Sequence, residues 1–301
     1  MEKEHDHNDE IGSASGRVLV SIFMNILITV LEIIFGILSR SLSLISDSMH
    51  NLSDTLSGIF TLWTLRLSER KHNERFTFGY RRSQIIAAFV NSSVLLVIAA
   101  LLIREAILRF LSVEVINVSL MLPVAVVGLI ANSISAILLH SHAHSLNVRS
   151  TYLHLLSDAL SSVAVVLGAV FMWIFKIYWI DPLLTILIAI YTGYKAFEIV
   201  KESTLILLEA TPSDIDLRDV EKNVLTIPGV VNIHHIHVWR LDDEKTLLEA
   251  HVNVLPNTSV DETKNIRLEI EKILKEKFGI DHTNIQFECN EHLEDKLIKE
   301  N

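Results

Sequence analysis

The chain has 301 residues, half of them apolar, and a formal net charge of −10 at neutral pH. The acidic balance argues against nucleic-acid binding. The single cysteine, Cys289, excludes a disulfide within the chain and suits a cytosolic setting. Charged residues are sparse between positions 18 and 200 and dense after 209, which reads as a membrane domain followed by a soluble one.

In chain order, residues 1–16 are polar and acidic with Gly and Ser, as in a disordered tail. No apolar stretch directly follows a basic start and no small-residue cleavage site is evident, so a signal peptide is not expected. Residues 17–208 form the expected membrane domain. Six apolar spans fall there, each near the roughly 20 residues that cross a bilayer as a helix. They are Val18–Leu38, Leu42–Leu67, Ile85–Ile103, Val118–Leu139, Thr151–Ile177 and Ile180–Val200. Short links at Ser39–Ser41 and near Lys176–Asp181 make tight hairpins of the first and last pairs. Pro123 and Gly128 are expected to soften the fourth span. Arg66, Arg70, Lys71, Arg75, Arg81 and Arg82 crowd the link between spans two and three. This basic excess places that link, the N-terminus and the C-terminal domain in the cytoplasm.

Inside these spans one short word occurs twice: His50-Asn51-Leu52-Ser53-Asp54 and His154-Leu155-Leu156-Ser157-Asp158. Each copy puts a His and an Asp at i and i+4, on one helix face. An ionisable residue in a membrane span marks a functional site by default. The bland alternative is that each His bonds its own Asp to neutralise its helix. The repetition favours a shared site, since the two spans run antiparallel and His50, Asp54, His154 and Asp158 can converge. Two imidazoles and two carboxylates in a tetrahedron suit Zn²⁺; imidazole also suits cobalt, nickel and copper. Asp47 shares the face of His50 and is a candidate outer partner or proton step. Glu32 and Asn25 make a polar stripe on the first span. Asn91 and Asn132 are expected to join helices.

Residues 209–290 read as a small cytosolic α+β domain of order αββαβ, followed by a tail at 291–301. Ser213 and Asp214 suggest the start of a helix through Leu225. Val230–Leu241 and Thr246–Leu255 alternate apolar and polar residues around a turn at Asp242–Lys245, which predicts a hairpin. Ser259 or Asp261 starts a charged helix that Gly279 ends. Thr283–Glu288 is the closing strand. The domain holds His234, His235, His237, His251 and His282. Strict alternation puts His235 and His237 on one face and His234 on the other.

The chain resembles the cation diffusion facilitators over roughly residues 15–290. The carriers are Ser43–Asp54, Phe78-Gly79-Tyr80-Arg81-Arg82, Tyr152–Asp158 and Asp181-Pro182. The resemblance implies a homodimer, six helices and a cytosolic metallochaperone-like domain per protomer, and metal–proton antiport through the site on helices two and five. Members with two His and two Asp there typically carry zinc, often with cobalt or cadmium. The expected function is therefore divalent-metal efflux, with Zn²⁺ as substrate rather than cofactor, in the cell membrane. By the same resemblance His234, His251, Gln286 and Glu288 match places where some members bind regulatory zinc, Gln286 standing where those members have His. Phe76-Thr77-Phe78-Gly79-Tyr80 lacks the His of a further site seen in some members. The long His-rich loop of others shrinks to His140, His142 and His144, candidates for metal capture. Two other classes remain open. A membrane-embedded metal enzyme needs an open ligand position and a general base, which four protein ligands do not leave. A metal sensor needs an output module, and nothing resembling one follows residue 290.

Overall fold

The computed structural model describes residues 25–68, 73–140, 146–243, 245–289 and Leu297. Within its helices the side chains of residues 61, 62, 64–66, 68, 135, 136, 138–140 and 146–155 lie outside the description. The chain forms two compact units, one of residues 1–66 and 87–200 and the other of residues 67–86 and 201–301.

The first unit is helical. Its elements are α1 (Asn25–Ser39), α2 (Leu42–Ser68), α3 (Arg82–Leu111), α4 (Val118–His140), α5 (Leu146–Phe175) and α6 (Ile180–Leu207). Apolar runs of this length become helices because in lipid each backbone N–H and C=O must be satisfied within its own segment. Among the described residues, three stretches are long and apolar enough to cross a membrane: all of α3, Leu156–Phe175 of α5, and all of α6. α1 and Val118–Ile134 of α4 are shorter apolar helices. α2 differs in kind, burying Ser43, Ser46, Asp47, Ser48, His50, Asn51, Ser53 and Thr55. Large apolar side chains such as Val97, Leu101, Leu167, Phe171 and Phe197 are exposed instead. Polar inside and apolar outside is the arrangement lipid imposes.

α4 runs continuously from Val118 to His140 with Pro123 inside it. A tight apolar cluster joins Leu44 of α2, Met121 and Ala125 of α4, Val165, Ala169 and Met172 of α5, and Ile188 of α6. α5 and α6 approach closely at Gly168, where a Cβ would sit 2.2 Å from Leu184 Cδ1.

The second unit contains α7 (Leu217–Val224), β1 (Val230–Arg240), β2 (Thr246–Val254), α8 (Val260–Phe278) and β3 (Ile280–Glu288), the order read from the sequence. The sheet has order β1-β2-β3, with β1 antiparallel and β3 parallel to β2. α8 starts with a reciprocal capping box between Ser259 and Glu262 and ends on Gly279 in the left-handed region (φ 65°). Backbone and side-chain hydrogen bonds from Ser259 hold the Glu262 carboxyl below its ordinary range. Ile266, Ile270 and Leu274 form the inner face of α8. They meet Val220 and Val224 of α7, and Ile233, Val238, Leu248, Ala250 and Val252 of the sheet. The α2–α3 link belongs to this unit. Arg81 pairs with Asp242 at 2.7 Å and Arg82 with Glu209 at 2.7 Å.

Three features of this unit differ from the sequence reading. α7 is capped by Asp216, whose carboxylate accepts from Arg218 N at 2.8 Å. Ser213 and Asp214 lie in a turn closed by Ile215 N to Pro212 O. β3 begins at Ile280, immediately after the Gly279 cap. In β1 the alternation breaks. The pairing with β2 shifts between His234 and His237, and His235 has a left-handed backbone (φ 51°). A bulge of this kind adds one residue to one strand. It brings Ile233, Ile236 and Val238 to the same core although they are three and two positions apart.

Ile270 is fully buried, so Ile270→Ala is expected to cost the second unit about 2–5 kcal/mol. Ser259→Ala removes only a cap and should cost about 1 kcal/mol. Denaturant unfolding of the full chain in detergent, followed through this domain, should rank the two in that order.

Candidate metal centre

His50 and Asp54 come from α2, one turn apart, and Asp158 comes from α5. His50 Nε2 lies 2.8 Å from Asp158 Oδ1 and 3.6 Å from Asp54 Oδ2. The shorter contact therefore joins the two helices, and the i,i+4 pair within α2 is the looser one. His50 and Asp158 are buried and Asp54 is partly open. One ligand atom from each falls within 4.8 Å of the others. His154 stands one helical turn before Asp158 on α5, on the same face by spacing; its side chain lies outside the description. An imidazole and two carboxylates from separate backbones are a donor set for a borderline divalent cation.

Around this group the helices are joined by polar contacts. Ser161 and Ser162 of α5 donate to the two oxygens of Asp47, at 2.8 and 3.1 Å. Asn132 of α4 donates to Ser162 Oγ at 2.9 Å. Asp47 thus ties α2 to α5 directly and to α4 through one hydroxyl. Asn91 of α3 donates to Ser53 Oγ and Ser57 Oγ, each at 3.0 Å. Asn51 donates to Glu32 Oε2 of α1 at 3.0 Å. Glu32 is 1% exposed, and its Oε1 points at Gly128 of α4, where a Cβ would sit only 2.3 Å away. Ser161, Ser162 and Asn51 escaped the sequence reading. The available signal was that Ser161 sits at i+3 from Asp158 and Asn51 adjoins His50.

A second group lies in the C-terminal unit. His251 Nδ1 is 2.7 Å from Glu288 Oε1, and His234 Nε2 is 3.3 Å from Glu288 Oε2. Gln286 Nε2 donates to Glu288 Oε1 at 2.9 Å. His234 and Glu288 are buried and His251 is partly so. These three also satisfy the distance for a shared ion. The bulge alters the expected faces: the rings of both His234 and His235 lie against His251, at 5.4 and 4.8 Å, and His237 against His235 at 4.9 Å. His282 is exposed on β3 and outside the group. His142, His144 and residues 1–24 lie outside the described residues, as do residues 290–301 apart from Leu297, and the side chain of His140 does also.

Apolar helices closed around a buried His/Asp group, with a metal-ligand cluster in a small appended domain, define a membrane protein that handles a metal cation. Residues 18–208 match the cation efflux transmembrane domain, and residues 212–289 match the cation efflux protein cytoplasmic domain. The chain is 36% identical over 297 residues to a cadmium, cobalt and zinc/H(+)-K(+) antiporter of Bacillus subtilis, covering 98% of this chain and 94% of that protein. It is 35% identical to the metal cation efflux system protein CzcD of Cupriavidus metallidurans (94% and 89% covered). It is 37% identical to the zinc transporter ZitB of Pectobacterium atrosepticum (94% and 88%). A solved metal-bound C-terminal domain of the CzcD transporter is 39% identical, covering 25% of this chain and 99% of that one with a TM-score of 0.22. The chain belongs to the cation efflux family. It is a divalent-cation efflux transporter and not an enzyme.

The Glu32–Gly128 contact is testable by a double-mutant cycle. Gly128→Ala should lower the thermal stability of the detergent-solubilised protein, and the loss should shrink by about 0.5 kcal/mol or more when Glu32 is Ala. Additive effects would show that the two do not touch.

Proposed function

We propose that the chain exports Zn²⁺ in exchange for protons, through one site formed by His50, Asp54, His154 and Asp158. The observation that carries this reading is the His50 imidazole, whose Nε2 faces carboxylates of two helices at 2.8 and 3.6 Å. A helix neutralising its own charges would place Asp54 closer than Asp158. Zinc as cargo is supported by the N₂O₂ ligand chemistry and by the relatives named as zinc transporters and as a cadmium, cobalt and zinc antiporter. Co²⁺ and Cd²⁺ are further cargo on the same grounds.

In this reading residues 17–208 cross the cell membrane six times and both termini are cytoplasmic, as the Lys/Arg excess in the α2–α3 link favours. Residues 209–290 form the cytosolic domain and hold two protomers together, consistent with the match to the family's cytoplasmic domain. With the site open to the cytoplasm, the imidazoles are neutral, the carboxylates ionised, and the cation binds. Capture requires deprotonated ligands and so releases protons. On the outer side, protonation of imidazole, with an unperturbed pKa of about 6.5, competes with the cation and favours release. The protonated site then returns. Asp47, held by Ser161 and Ser162, fixes α2 against α5 beside the site.

A second reading concerns the C-terminal unit. The convergence of His234, His251 and Glu288 supports a bound Zn²⁺ there, in a regulatory rather than a transport role.

In proteoliposomes the wild-type protein should take up Zn²⁺ with counterflow of protons. Asp54→Ala and Asp158→Ala should cut the initial rate about 100-fold or more, beyond the 10–100-fold typical of an outer partner. Wild-type rates in either variant would refute the site. Zn²⁺ affinity should fall as the pH is lowered, because protons then compete with the cation for the ligands. Separately, the pair His251→Ala and Glu288→Gln should remove one Zn²⁺ per chain in equilibrium dialysis, with ions at the membrane site retained.

A further inference from the structure

One carboxylate of the helical unit lies outside the proposed transport site and accepts four hydrogen bonds. Asp181, in the first turn of α6, is 0% exposed. Its Oδ1 accepts from Ser41 Oγ and Ser43 Oγ, each at 2.6 Å, and from Ser43 N at 3.2 Å; its Oδ2 accepts from Leu42 N at 2.8 Å. All four donors belong to the start of α2. The first amides of a helix lack intrahelical partners and carry the positive end of its dipole. Here Leu42 N and Ser43 N turn to Asp181, while Leu44 N turns to Ser41 Oγ at 3.2 Å. A residue of one helix thus caps another across 140 positions of sequence.

The same corner gathers further elements. Asn117 N, before α4, donates to Ser39 O at 2.9 Å. Arg109, in the last turn of α3, donates to Arg40 O at 2.7 Å. Arg40 itself turns the chain with a left-handed backbone (φ 59°). Beside it lies the apolar cluster of Leu44, Met172 and Ile188. His50 follows Leu42 by eight residues, about 12 Å along a rigid helix. The position of α2 at Asp181 therefore fixes the height and rotation at which His50 and Asp54 meet Asp158. Asp158 lies on α5, which a short link joins to α6.

We propose that Asp181 is a positioning residue for transport: it anchors the start of α2 to the α5–α6 hairpin, and this joint stays bonded while the cation site changes access. Nothing in the arrangement makes Asp181 a cation ligand, since both oxygens are taken by donors of α2. The proposal rests on the site proposed above, at His50, Asp54, His154 and Asp158.

The test uses full-length protein in proteoliposomes, in a background carrying His234→Ala and His251→Ala so that Zn²⁺ binding reports the membrane site. Asp181→Ala should weaken Zn²⁺ affinity about 10- to 100-fold, as loss of a partner that orients metal ligands does. Asp181→Asn keeps an acceptor and should lose less. The pair Ser43→Cys and Asp181→Cys, with Cys289→Ser, examines the joint directly. Reduced, it should transport as slowly as Asp181→Ala; oxidised to a disulfide, it should return to within about threefold of the background protein. An oxidised pair no faster than the reduced one, or an Asp181→Ala protein with unaltered affinity and rate, overturns the proposal. Asp158→Ala run alongside separates the two levels. If it transports normally, the site itself is misassigned; if it is inactive while Asp181→Ala is normal, only the anchoring role fails.

Discussion

A charged or polar group surrounded by lipid-facing helices must find its partner inside the bundle. An unpartnered polar group in an apolar medium costs several kcal/mol, and an isolated charge costs more. The helical unit is arranged around that constraint. His50 faces Asp158, Asp47 takes two serine hydroxyls, and Asp181 takes two hydroxyls and two amides. Each contact crosses between helices, because one helix cannot satisfy a carboxylate with its own interior amides. The polar groups therefore do the joining that apolar burial does in a soluble core, where water supplies the driving force. The proposed cation site is the place where this joining is made of groups whose donor chemistry also suits a divalent metal.

Two parts of the chain reach a similar donor set by different routes. In the helices, a His and an Asp one turn apart supply one side and a residue of a distant helix the other. In the C-terminal unit, adjacent strands place His234 opposite His251 in register, and the end of β3 brings Glu288 to both. Neighbouring strands hold side chains about 5 Å apart, close to what a shared ion requires.

Much of this was legible in the sequence. The helices follow from the length of the apolar runs, and the αββαβ order from alternation, turns and the Ser259 and Gly279 caps. The repeated His-x-Leu-Ser-Asp word singled out His50, Asp54 and Asp158, which the fold brings together, because charge in a span is costly. Other features were hidden for definite reasons. An i,i+4 pair states which residues share a face, and it does not state that His50 lies closer to Asp158 than to Asp54. Ser161 and Ser162 look like ordinary small residues of a helix, since their role depends on Asp47 more than a hundred positions away. Gly128 read as a point of weakness, while in the fold it makes room for the Glu32 carboxylate. Asp181 read as part of a turn, because capping in trans leaves no local signature. The bulge at His235 escaped because strict alternation is the default for a strand, and the spacing of Ile233, Ile236 and Val238 was the one clue against it.

That bulge also bears on how the small domain avoids unwanted association. β1 is an edge of a three-stranded sheet. A flat edge offers a row of free amides and carbonyls on which another chain's strand can grow. Here the row is interrupted halfway along: the backbone turns left-handed at His235, and the next amide, Ile236 N, is taken by Leu297 O at 3.0 Å. A foreign strand arriving at this edge would meet a kink and an occupied donor within two residues. The irregularity that brings two neighbouring imidazoles against His251 thus also makes β1 a poor template for open-ended sheet growth.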